Sequence, residues 1–227
     1  MIELWLSRAR LRADASVSAL AQQLVPEGAS AHPAAAHHLV WTLFADGPER
    51  RRDFLWREEA PDRFMTLSRR PPVNIEGLFD LDSQPFAPML AAGDRLGFTL
   101  RANPVVARAT APGQRGKRHD VVMDLLKSVA SGQRAEARPD AVLTAGRAWL
   151  ARQGLVHGFR PEGEVAVDSY DRVVIPRETV KPAIFGVLDI SGVLIVEDPV
   201  RFLAAQAAGF GRARAFGCGL MLIRRVR

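Results

Sequence analysis

Cysteine and long apolar runs are almost missing from this chain of 227 residues. Cys218 is the only cysteine, so no internal disulfide and no metal site built from several thiolates can form. No apolar stretch approaches the roughly 20 residues that a membrane-spanning helix needs. The apolar start is interrupted by Glu3 and has no basic residues before it, unlike a secretion signal. We therefore expect a cytoplasmic protein that does not contact a membrane.

The chain also lacks the loops that bind nucleotides. No Gly-Lys-Ser or Gly-Lys-Thr sequence of a phosphate-binding P-loop is present. Gly209 and Gly211 begin a pattern similar to the dinucleotide fingerprint, but Arg214 replaces its third glycine and a predicted helix, instead of a strand, precedes it. Nucleotide hydrolysis and dinucleotide chemistry are not predicted, and we expect the protein to use no cofactor and no metal.

Lysine is rare, whereas arginine is common. Lys117, Lys127 and Lys181 are the only lysines among 31 basic residues, which face 25 acidic residues and give a sequence pI near 10.5. The planar guanidinium of arginine suits phosphates and base edges, so this composition favours a nucleic-acid partner. A GC-rich genome, which uses arginine codons in place of lysine codons, would produce the same bias.

Apolar periodicity, broken by Pro- and Gly-containing turns, predicts an α+β protein. The predicted strands cover residues 2–11, 54–58, 63–69, 77–81, 94–104, 164–175, 182–189, 193–196 and 220–223, with a hairpin turn at 189–192. The predicted helices cover residues 16–24, 34–45, 119–130, 140–153 and 199–207. This order, β-α-β-β-α-β seen twice, is typical of two tandem ferredoxin-like (RRM-like) domains, which we place at 1–90 and 91–227. The first copy shows no clear second helix.

Near the C-terminus, two Gly-apolar-Gly units, Gly209–Gly211 and Gly217–Gly219, enclose five residues that include Arg212 and Arg214. Glycine allows positive φ and close approach of another backbone, and successive N–H groups in such a loop can surround an anion. The arginines would add positive charge where a phosphate would lie. The segment is therefore a candidate RNA-binding loop, and the alternative is an ordinary glycine-capped turn between a helix and a strand.

A second basic segment, residues 105–118, contains no acidic residue and is predicted to be a loop. With the strand before it, this segment supplies five candidate RNA-binding cations: Arg101, Arg108, Arg115, Lys117 and Arg118. A paired RNA stem is gripped mainly through shape and charge, because its major groove is too narrow for side chains to reach the bases easily. The alternative is a solvated run of charge.

Five histidines are candidates for proton transfer, because their ordinary pKa near 6.5 lies close to neutral pH. On a helix over 34–45, His37 falls at the edge of the apolar stripe beside Trp41, whereas His38 points almost the opposite way. His37 could thus be held in place and still face a groove, and His38 is its nearest rival. The other three are interpreted as structural or solvated, with a phosphate contact considered for the second: His32, His119 and His157.

Several motifs together resemble a known family. The glycine-rich segment looks like the signature of the repeat-associated RNA-binding superfamily of CRISPR systems. Four segments then resemble, in the right order, the CasE family: His37 followed by Trp41, Leu43 and Phe44; Arg52-Asp53-Phe54-Leu55; Phe98-Thr99-Leu100-Arg101-Ala102-Asn103-Pro104; and Gly217-Cys218-Gly219-Leu220. The resemblance spans nearly the whole chain, with long unmatched stretches at about 110–180.

CasE proteins are CRISPR-repeat endoribonucleases and subunits of the type I-E Cascade complex. The resemblance implies that this chain binds the repeat stem-loop of precursor crRNA, cuts at the 3′ base of the stem, and stays on the crRNA together with other Cascade subunits. It also implies metal-independent attack by a ribose 2′-hydroxyl on the adjacent phosphate, which leaves a 2′,3′-cyclic phosphate and a 5′-hydroxyl.

His37 stands at the position of the family's catalytic histidine, four residues before the tryptophan. One departure concerns the tyrosine that the family often carries three residues before this histidine, because position 34 is Ala34 and Tyr170 is the only tyrosine. An arginine or Lys117 would then have to stabilise the charge on the phosphorane. The departure leaves open a non-catalytic RNA-hairpin-binding subunit, and more remotely a small-molecule enzyme on a ferredoxin-like fold.

Overall fold

The computed structural model describes residues 3–12, 14, 32–45, 47, 52–74, 77–109, 111, 113–114, 116–176 and 181–226. The helix predicted over 16–24 and the candidate RNA contact Arg115 lie outside the described residues, so both remain predictions.

An antiparallel sheet of four strands forms the N-terminal half. Its elements in chain order are β1 (Trp5–Leu11), α1 (His32–Thr42), β2 (Phe54–Ala60), β3 (Arg63–Ser68) and β4 (Phe79–Pro85). The strand order β2-β3-β1-β4 is that of a ferredoxin-like sheet. No helix lies between β3 and β4 in the residues described there, in agreement with the expected lack of a second helix.

A second sheet with the same topology forms the C-terminal half. Its elements in chain order are β5 (Arg95–Ala102), β6 (Val105–Arg108), β7 (Lys117–Asp120), α2 (Val121–Leu126), α3 (Arg134–His157), β8 (Phe159–Ile175), β9 (Ala183–Val196), α4 (Pro199–Ala208) and β10 (Met221–Arg225). The order β10-β5-β9-β8, with α3 and α4 as its two helices, is again ferredoxin-like. The predicted fold class, α+β with two tandem ferredoxin-like units, is confirmed, whereas the boundary at residue 90 stays a prediction.

The hairpin turn predicted at 189–192 was wrong. Strand β9 continues through these residues, and Gly192 lies opposite Phe98 of β5 in the middle of the sheet. The Ser191-Gly192 pair resembled a turn in sequence, but Gly192 instead faces the Phe98 ring, which lies 3.4 Å from the place of a Cβ atom there. The chain turns between β8 and β9 instead.

The segment predicted as a basic loop contains a hairpin. Strands β6 and β7 pair in register from Val105 opposite Asp120 to Arg108 opposite Lys117. Charge obscured the strand pattern, because the four residues of β7 are all polar. His119 therefore lies in a strand and does not open a helix. Helix α2 starts only after Asp120, whose side chain caps it by accepting the backbone N–H groups of the second and third helical residues.

Helix α3 is longer than the predicted span of 140–153. It covers 24 residues and ends at Gly158, which takes a left-handed conformation with φ of 73°. His157 is the last residue of this helix, four residues beyond the predicted end. Among the described residues, no helix combines the length and the apolar character that crossing a membrane requires.

Three buried apolar clusters hold the fold together. One lies inside the C-terminal half and another joins α1 to the N-terminal sheet. The third cluster joins the two halves, because Leu55 and Leu67 pack there with Leu220. Side chains alternate along β2, so Leu55 faces this joint while Phe54 and Trp56 belong to the α1 cluster. The joint brings the C-terminal end of the chain against α1.

Candidate functional site

His37 lies where α1 meets the C-terminal glycine-rich segment. The apolar stripe of α1 is buried, His37 at its edge is half-buried, and His38 is exposed, as the helical periodicity predicted. The centroid of the His37 ring lies 5.8 Å from that of Phe216. The indole Nε1–H of Trp41 donates a hydrogen bond of 3.0 Å to His37 Nε2. The fold thus brings an imidazole from the first third of the chain to the glycine-rich segment at its end.

Burial and neighbouring positive charge favour the neutral form of His37. Desolvation lowers the pKa of His37 below its ordinary value of 6.5, and His38 and then Arg52 lower this pKa further. The backbone carbonyl of Ala215 acts in the opposite direction, but Nδ1 is buried and makes no hydrogen bond of good geometry among the described residues. A histidine in this state can accept a proton at neutral pH.

The glycine-rich segment is an anchored loop. Gly219 N–H donates to the carbonyl of Arg101 at 2.8 Å, and Arg212 N–H donates to that of Asn103 at 3.2 Å. The buried Asn103 side chain donates in turn to the Gly186 carbonyl at 2.7 Å. From the N-terminal half, Trp56 Nε1–H donates to the Ala215 carbonyl at 3.1 Å. Two of the motifs that resembled the CasE family, at the end of β5 and in this loop, therefore contact each other.

Gly211 shows why the loop requires glycine. Its φ is 72°, and a Cβ atom there would lie 2.8 Å from the Asn103 carbonyl oxygen. Backbone cannot move away as a flexible side chain can, so both the conformation and the contact exclude a larger residue. The non-glycine residue Ala213 also has a positive φ, of 51°, in the same loop. Gly209, with a φ of 80°, caps the end of α4, so the loop combines a glycine cap with the close backbone contact at Gly211.

Replacing Gly211 by alanine is expected to lower the free energy of unfolding by about 1 to 3 kcal/mol, because strained φ and a backbone clash combine. Gly163→Ala is the matched control, since Gly163 has a φ of 64° but no atom within 4 Å of the added Cβ. Urea unfolding of both variants separates the two effects. Equal losses of stability would show that close approach at Gly211 contributes nothing.

Three arginines surround a polar pocket beside the loop. The pocket has a volume of about 310 Å³ and is lined by Arg52, Arg212 and Arg214 with Gly211 and Ala213. Burial and Arg214 lower the pKa of Arg52, and burial and Arg212 lower that of Arg214. The Nη1 atom of Arg52 is buried without a hydrogen-bond partner among the described residues. Positive charge without a facing carboxylate in the pocket lining makes this a candidate anion site.

The arginines of the pocket differ in how the protein already uses them. Arg214 donates its Nη1 proton to the Ala208 carbonyl at the end of α4 and its Nε proton to the Gly211 carbonyl at 3.2 Å. Arg214 therefore stabilises the loop through hydrogen bonds and also adds a positive charge to it. Arg212 is exposed. Arg52 has one side of its guanidinium unused, which no argument from sequence revealed, although Arg52 was part of a recognised motif.

Arg101 lies outside this pocket. It forms an ion pair with Asp189 and lies 3.9 Å from Asp171. A neighbouring cavity of about 510 Å³ is lined by Arg101, Arg57 and Asp189 together with Phe216 and Gly217. Its carboxylates offset its guanidinium groups. The role of Arg101 as an RNA contact stays a prediction, and the structure gives this residue a second task in holding β5 to β9.

The remaining candidate cations lie on the β6–β7 hairpin. Arg108 and Lys117 are neighbours across it, and Arg118 is exposed beside them. Arg108 forms an ion pair of 2.9 Å with Asp124, which Lys127 also contacts. The acidic residue missing from the segment itself is thus supplied by α2. None of these three cations lines the arginine pocket, and Lys117 is not among the groups that shift the pKa of His37.

The only tyrosine of the chain lies at the base of this hairpin. The hydroxyl of Tyr170 donates to Asp120 Oδ1 at 3.0 Å, and the same oxygen caps α2. Desolvation first, and then the Asp120 carboxylate, raise the pKa of Tyr170 well above its ordinary value. Tyr170 therefore fixes the hairpin and α2 to β8 and does not take the place of the missing tyrosine beside His37.

Comparisons with known proteins agree with the motifs. A family model described as "CRISPR associated protein" matches residues 4–225. Among solved structures, the chain is similar to CRISPR endoribonuclease Cse3 bound to 19 nt RNA, with 26% identity, a TM-score of 0.68 and 98% of both chains covered. It is also similar to Thermus thermophilus Cse3 bound to an RNA representing a pre-cleavage complex, with 26% identity, a TM-score of 0.65 and coverage of 98% and 99%.

The fold is shared more widely. CRISPR-associated protein Cas6e from Escherichia coli K-12 has 20% identity, a TM-score of 0.63, and coverage of 98% of this chain and 100% of that one. At that identity the likeness concerns the fold alone. A search of the curated proteins found no match.

Proposed function

This chain belongs to the CRISPR associated protein family, and we propose that it is an endoribonuclease that cuts the repeat stem-loop of precursor crRNA. The resemblance to the CasE family is confirmed by the family model and by the structural likeness over almost the whole chain. We further infer that the enzyme cuts at the 3′ base of the stem without metal, keeps the crRNA, and joins other Cascade subunits.

One observation carries this proposal: a half-buried, neutral histidine lies beside a loop lined with unpaired positive charge. His37 supplies the group that moves protons, and the pocket of Arg52, Arg212 and Arg214 supplies a place for the phosphate. General acid–base transfer combined with stabilisation of a phosphate is the chemistry that attack by a neighbouring 2′-hydroxyl needs.

In the proposed reaction His37 accepts the proton of the ribose 2′-hydroxyl. The 2′-oxygen then attacks the adjacent phosphorus and displaces the 5′-oxygen of the next nucleotide, which takes up a proton from solvent, and His37 afterwards returns its own proton to solvent. The products are a 2′,3′-cyclic phosphate and a 5′-hydroxyl, with no water consumed. The phosphorane carries more negative charge than the starting diester, and groups already aimed at that charge lower the barrier most.

Arg52 is the candidate for this stabilising role in place of the tyrosine absent at position 34. The charge of Arg52 lowers the pKa of His37, and its buried Nη1 atom makes no hydrogen bond among the described residues. A guanidinium group presents planar donors that match phosphate oxygens in pairs.

The β6–β7 hairpin is the candidate for gripping the stem. Arg108, Lys117 and Arg118 extend from one two-stranded ribbon that Tyr170 and Asp120 hold in place. Such a ribbon contacts a paired RNA through phosphates and shape. The proposed enzyme therefore uses one surface to bind the stem and another to cut beside it.

The deciding experiment is cleavage of the repeat RNA from the same locus by the purified protein in EDTA. We expect one cut at the 3′ base of the stem, a 2′,3′-cyclic phosphate end, and no cut when the attacking nucleotide carries a 2′-deoxyribose. Tight hairpin binding without cleavage at any enzyme excess would instead support the non-catalytic subunit. A lack of affinity for stem-loop RNA at low salt would contradict both the endoribonuclease and the non-catalytic RNA-binding subunit.

Arg212→Ala is expected to weaken stem-loop binding and to reduce the slope of log K against log salt by about 0.7 to 0.9, the contribution of one phosphate contact. Arg212 is a clearer test than Arg214, whose loss would also disturb the loop. Arg95→Ala is the control, because Arg95 pairs with Glu162 and lies eight residues from Asn103 along the same chain segment, roughly 26 Å away. Equal slopes for Arg212→Ala and the unmodified protein would exclude this contact.

A further inference from the structure

The contact between Trp41 and His37 fixes more than the position of the imidazole ring. The indole nitrogen carries a hydrogen and can only donate, so the nitrogen that it contacts at 3.0 Å, Nε2, must present a lone pair. In the neutral ring the proton then lies on Nδ1. We propose that Trp41 is a positioning residue whose indole N–H holds His37 in the tautomer with the lone pair on Nε2.

The surroundings of Nδ1 agree with this assignment. Nδ1 is buried and makes no hydrogen bond to any described acceptor or donor, and the Ala215 carbonyl raises the pKa of the ring. That carbonyl is itself held by Trp56. The indole N–H, at Nε2, is thus the hydrogen-bond partner that the described residues give the ring. Reversing the tautomer would set two N–H groups against each other at Trp41.

Trp41 is itself fixed, as a positioning residue must be. Its ring packs edge-on against Phe54 with the centroids 5.2 Å apart, and it lies against the buried cluster of the N-terminal half. Trp41 and His37 are four residues apart on one helix, the spacing at which side chains meet. The hydrogen bond therefore needs no ordering that α1 has not already supplied.

The catalytic meaning of this contact rests on the proposed function, whereas the tautomer itself does not. A base that takes the 2′-hydroxyl proton needs a lone pair directed at the substrate. In the free protein the indole N–H occupies the position that this hydroxyl proton would take, so RNA must replace the indole as the donor to Nε2. Protonating His37 sets two donors against each other, so Trp41 also opposes the charged form.

Trp41→Phe keeps an aromatic ring and removes the donor together with the five-membered ring that carries it, and ¹⁵N NMR of histidine-labelled protein reports the result. His37 is assigned from the signal lost in His37→Gln. In the unmodified protein above its titration range we expect a protonated Nδ1 and an unprotonated Nε2. In Trp41→Phe we expect proton density to move toward Nε2 and the titration midpoint to rise by about 0.5 to 1 pH unit, the size of one lost hydrogen bond to the neutral form.

The other charges near His37 stay constant in this comparison. They are His38 on α1, Arg52 before β2 and, beside Arg52, Arg214 on the glycine-rich loop. Trp149→Phe is the matched control, because Trp149 is a buried indole of the C-terminal core that packs near Gly211 and makes no contact with His37. This variant is expected to leave the His37 signals unchanged.

The unmodified protein supplies a second measurement if Trp41→Phe does not fold. The indole N–H resonance of Trp41 should shift with the same midpoint as His37, because protonation of Nε2 removes its acceptor. Two results would overturn the proposal. One is a proton on Nε2 of the neutral His37 ring, and the other is a Trp41 indole N–H resonance whose chemical shift does not change as His37 titrates. Failure to cleave RNA together with the expected tautomer would count against the proposed function alone.

If the proposed function holds, the pH dependence of single-turnover cleavage follows the same contact. The lowered pKa of His37 places the acidic limb of the unmodified enzyme below 6.5, so the rate rises through that limb and levels off near neutral pH. Measured with subsaturating enzyme, where the pH dependence reports the free protein, this limb should move to higher pH in Trp41→Phe by the shift seen in NMR. A rate reduced equally at all pH values would indicate a structural effect only.

Discussion

Replacing His37 by alanine is expected to slow cleavage of the repeat stem-loop by about 10²- to 10⁴-fold, the usual contribution of a general acid or base. The affinity for the stem-loop should change little, because the arginine pocket and the β6–β7 hairpin remain. Single-turnover cleavage in EDTA with enzyme in excess isolates the chemical step, and binding of a 2′-deoxy substrate measures affinity.

His38→Ala is the matched control for this experiment. His38 is the neighbouring residue on the same helix and the same type of group, but it is exposed, whereas His37 is half-buried. The His38 side chain lowers the pKa of His37, so His38→Ala should raise that pKa slightly. Only a small change in the cleavage rate is therefore expected. Loss of cleavage in His38→Ala with normal cleavage in His37→Ala would move the catalytic role by one position.

Replacing Arg52 by glutamine is expected to slow the chemical step by about 10²- to 10³-fold, as removal of one preorganised donor to a developing anion does. The reason is the position of Arg52: it is half-buried, lowers the pKa of His37, lines a pocket together with two further arginines, and has a buried Nη1 atom without a partner among the described residues. Glutamine keeps some of the hydrogen-bonding capacity and removes the charge. Single-turnover rates at saturating enzyme separate this effect from weaker binding.

Two comparisons sharpen the Arg52 experiment. Arg52→Lys keeps the charge without the planar fork and should recover part of the rate. Arg108→Gln removes an arginine of the hairpin and should reduce affinity and salt dependence while leaving the saturated rate close to normal. If Arg52→Gln cleaves as fast as the unmodified protein at saturation, the phosphorane is stabilised by another group.

Predictions from local sequence patterns were confirmed where the geometry of a single helix or strand determines the position of a residue. The stripe of α1 placed His37 at its edge and His38 outside, because helical geometry alone fixes which residues share a face. The order of strands and helices along the chain predicted the two ferredoxin-like units, because the order β-α-β-β-α-β is typical of that fold. The turn predicted at Ser191-Gly192 failed because the local signal was overridden by pairing with β5 and β8.

Neighbours distant in sequence decided the chemistry of the site. Arg52 and Arg214 are 162 positions apart in the numbering and share one pocket. Arg101 looked like a free cation in sequence, but β5 lies beside β9 and Asp189 pairs with it. Tyr170, too, received its role from Asp120, a residue on a different element. Electrostatic partners depend on distance in space, which the pattern of one segment does not contain.

By itself the sequence determined the class of fold, the position of His37 on α1, the glycine-rich loop and the resemblance to an RNA-processing family. These features depend on periodicity, on glycine at fixed positions and on motifs, all of which are local. Only the tertiary structure decided which cations are paired, which guanidinium remains available near His37, and which ring nitrogen carries the proton. Those properties follow from burial and from contacts between the two halves, which the packing of Leu55 and Leu67 against Leu220 brings about.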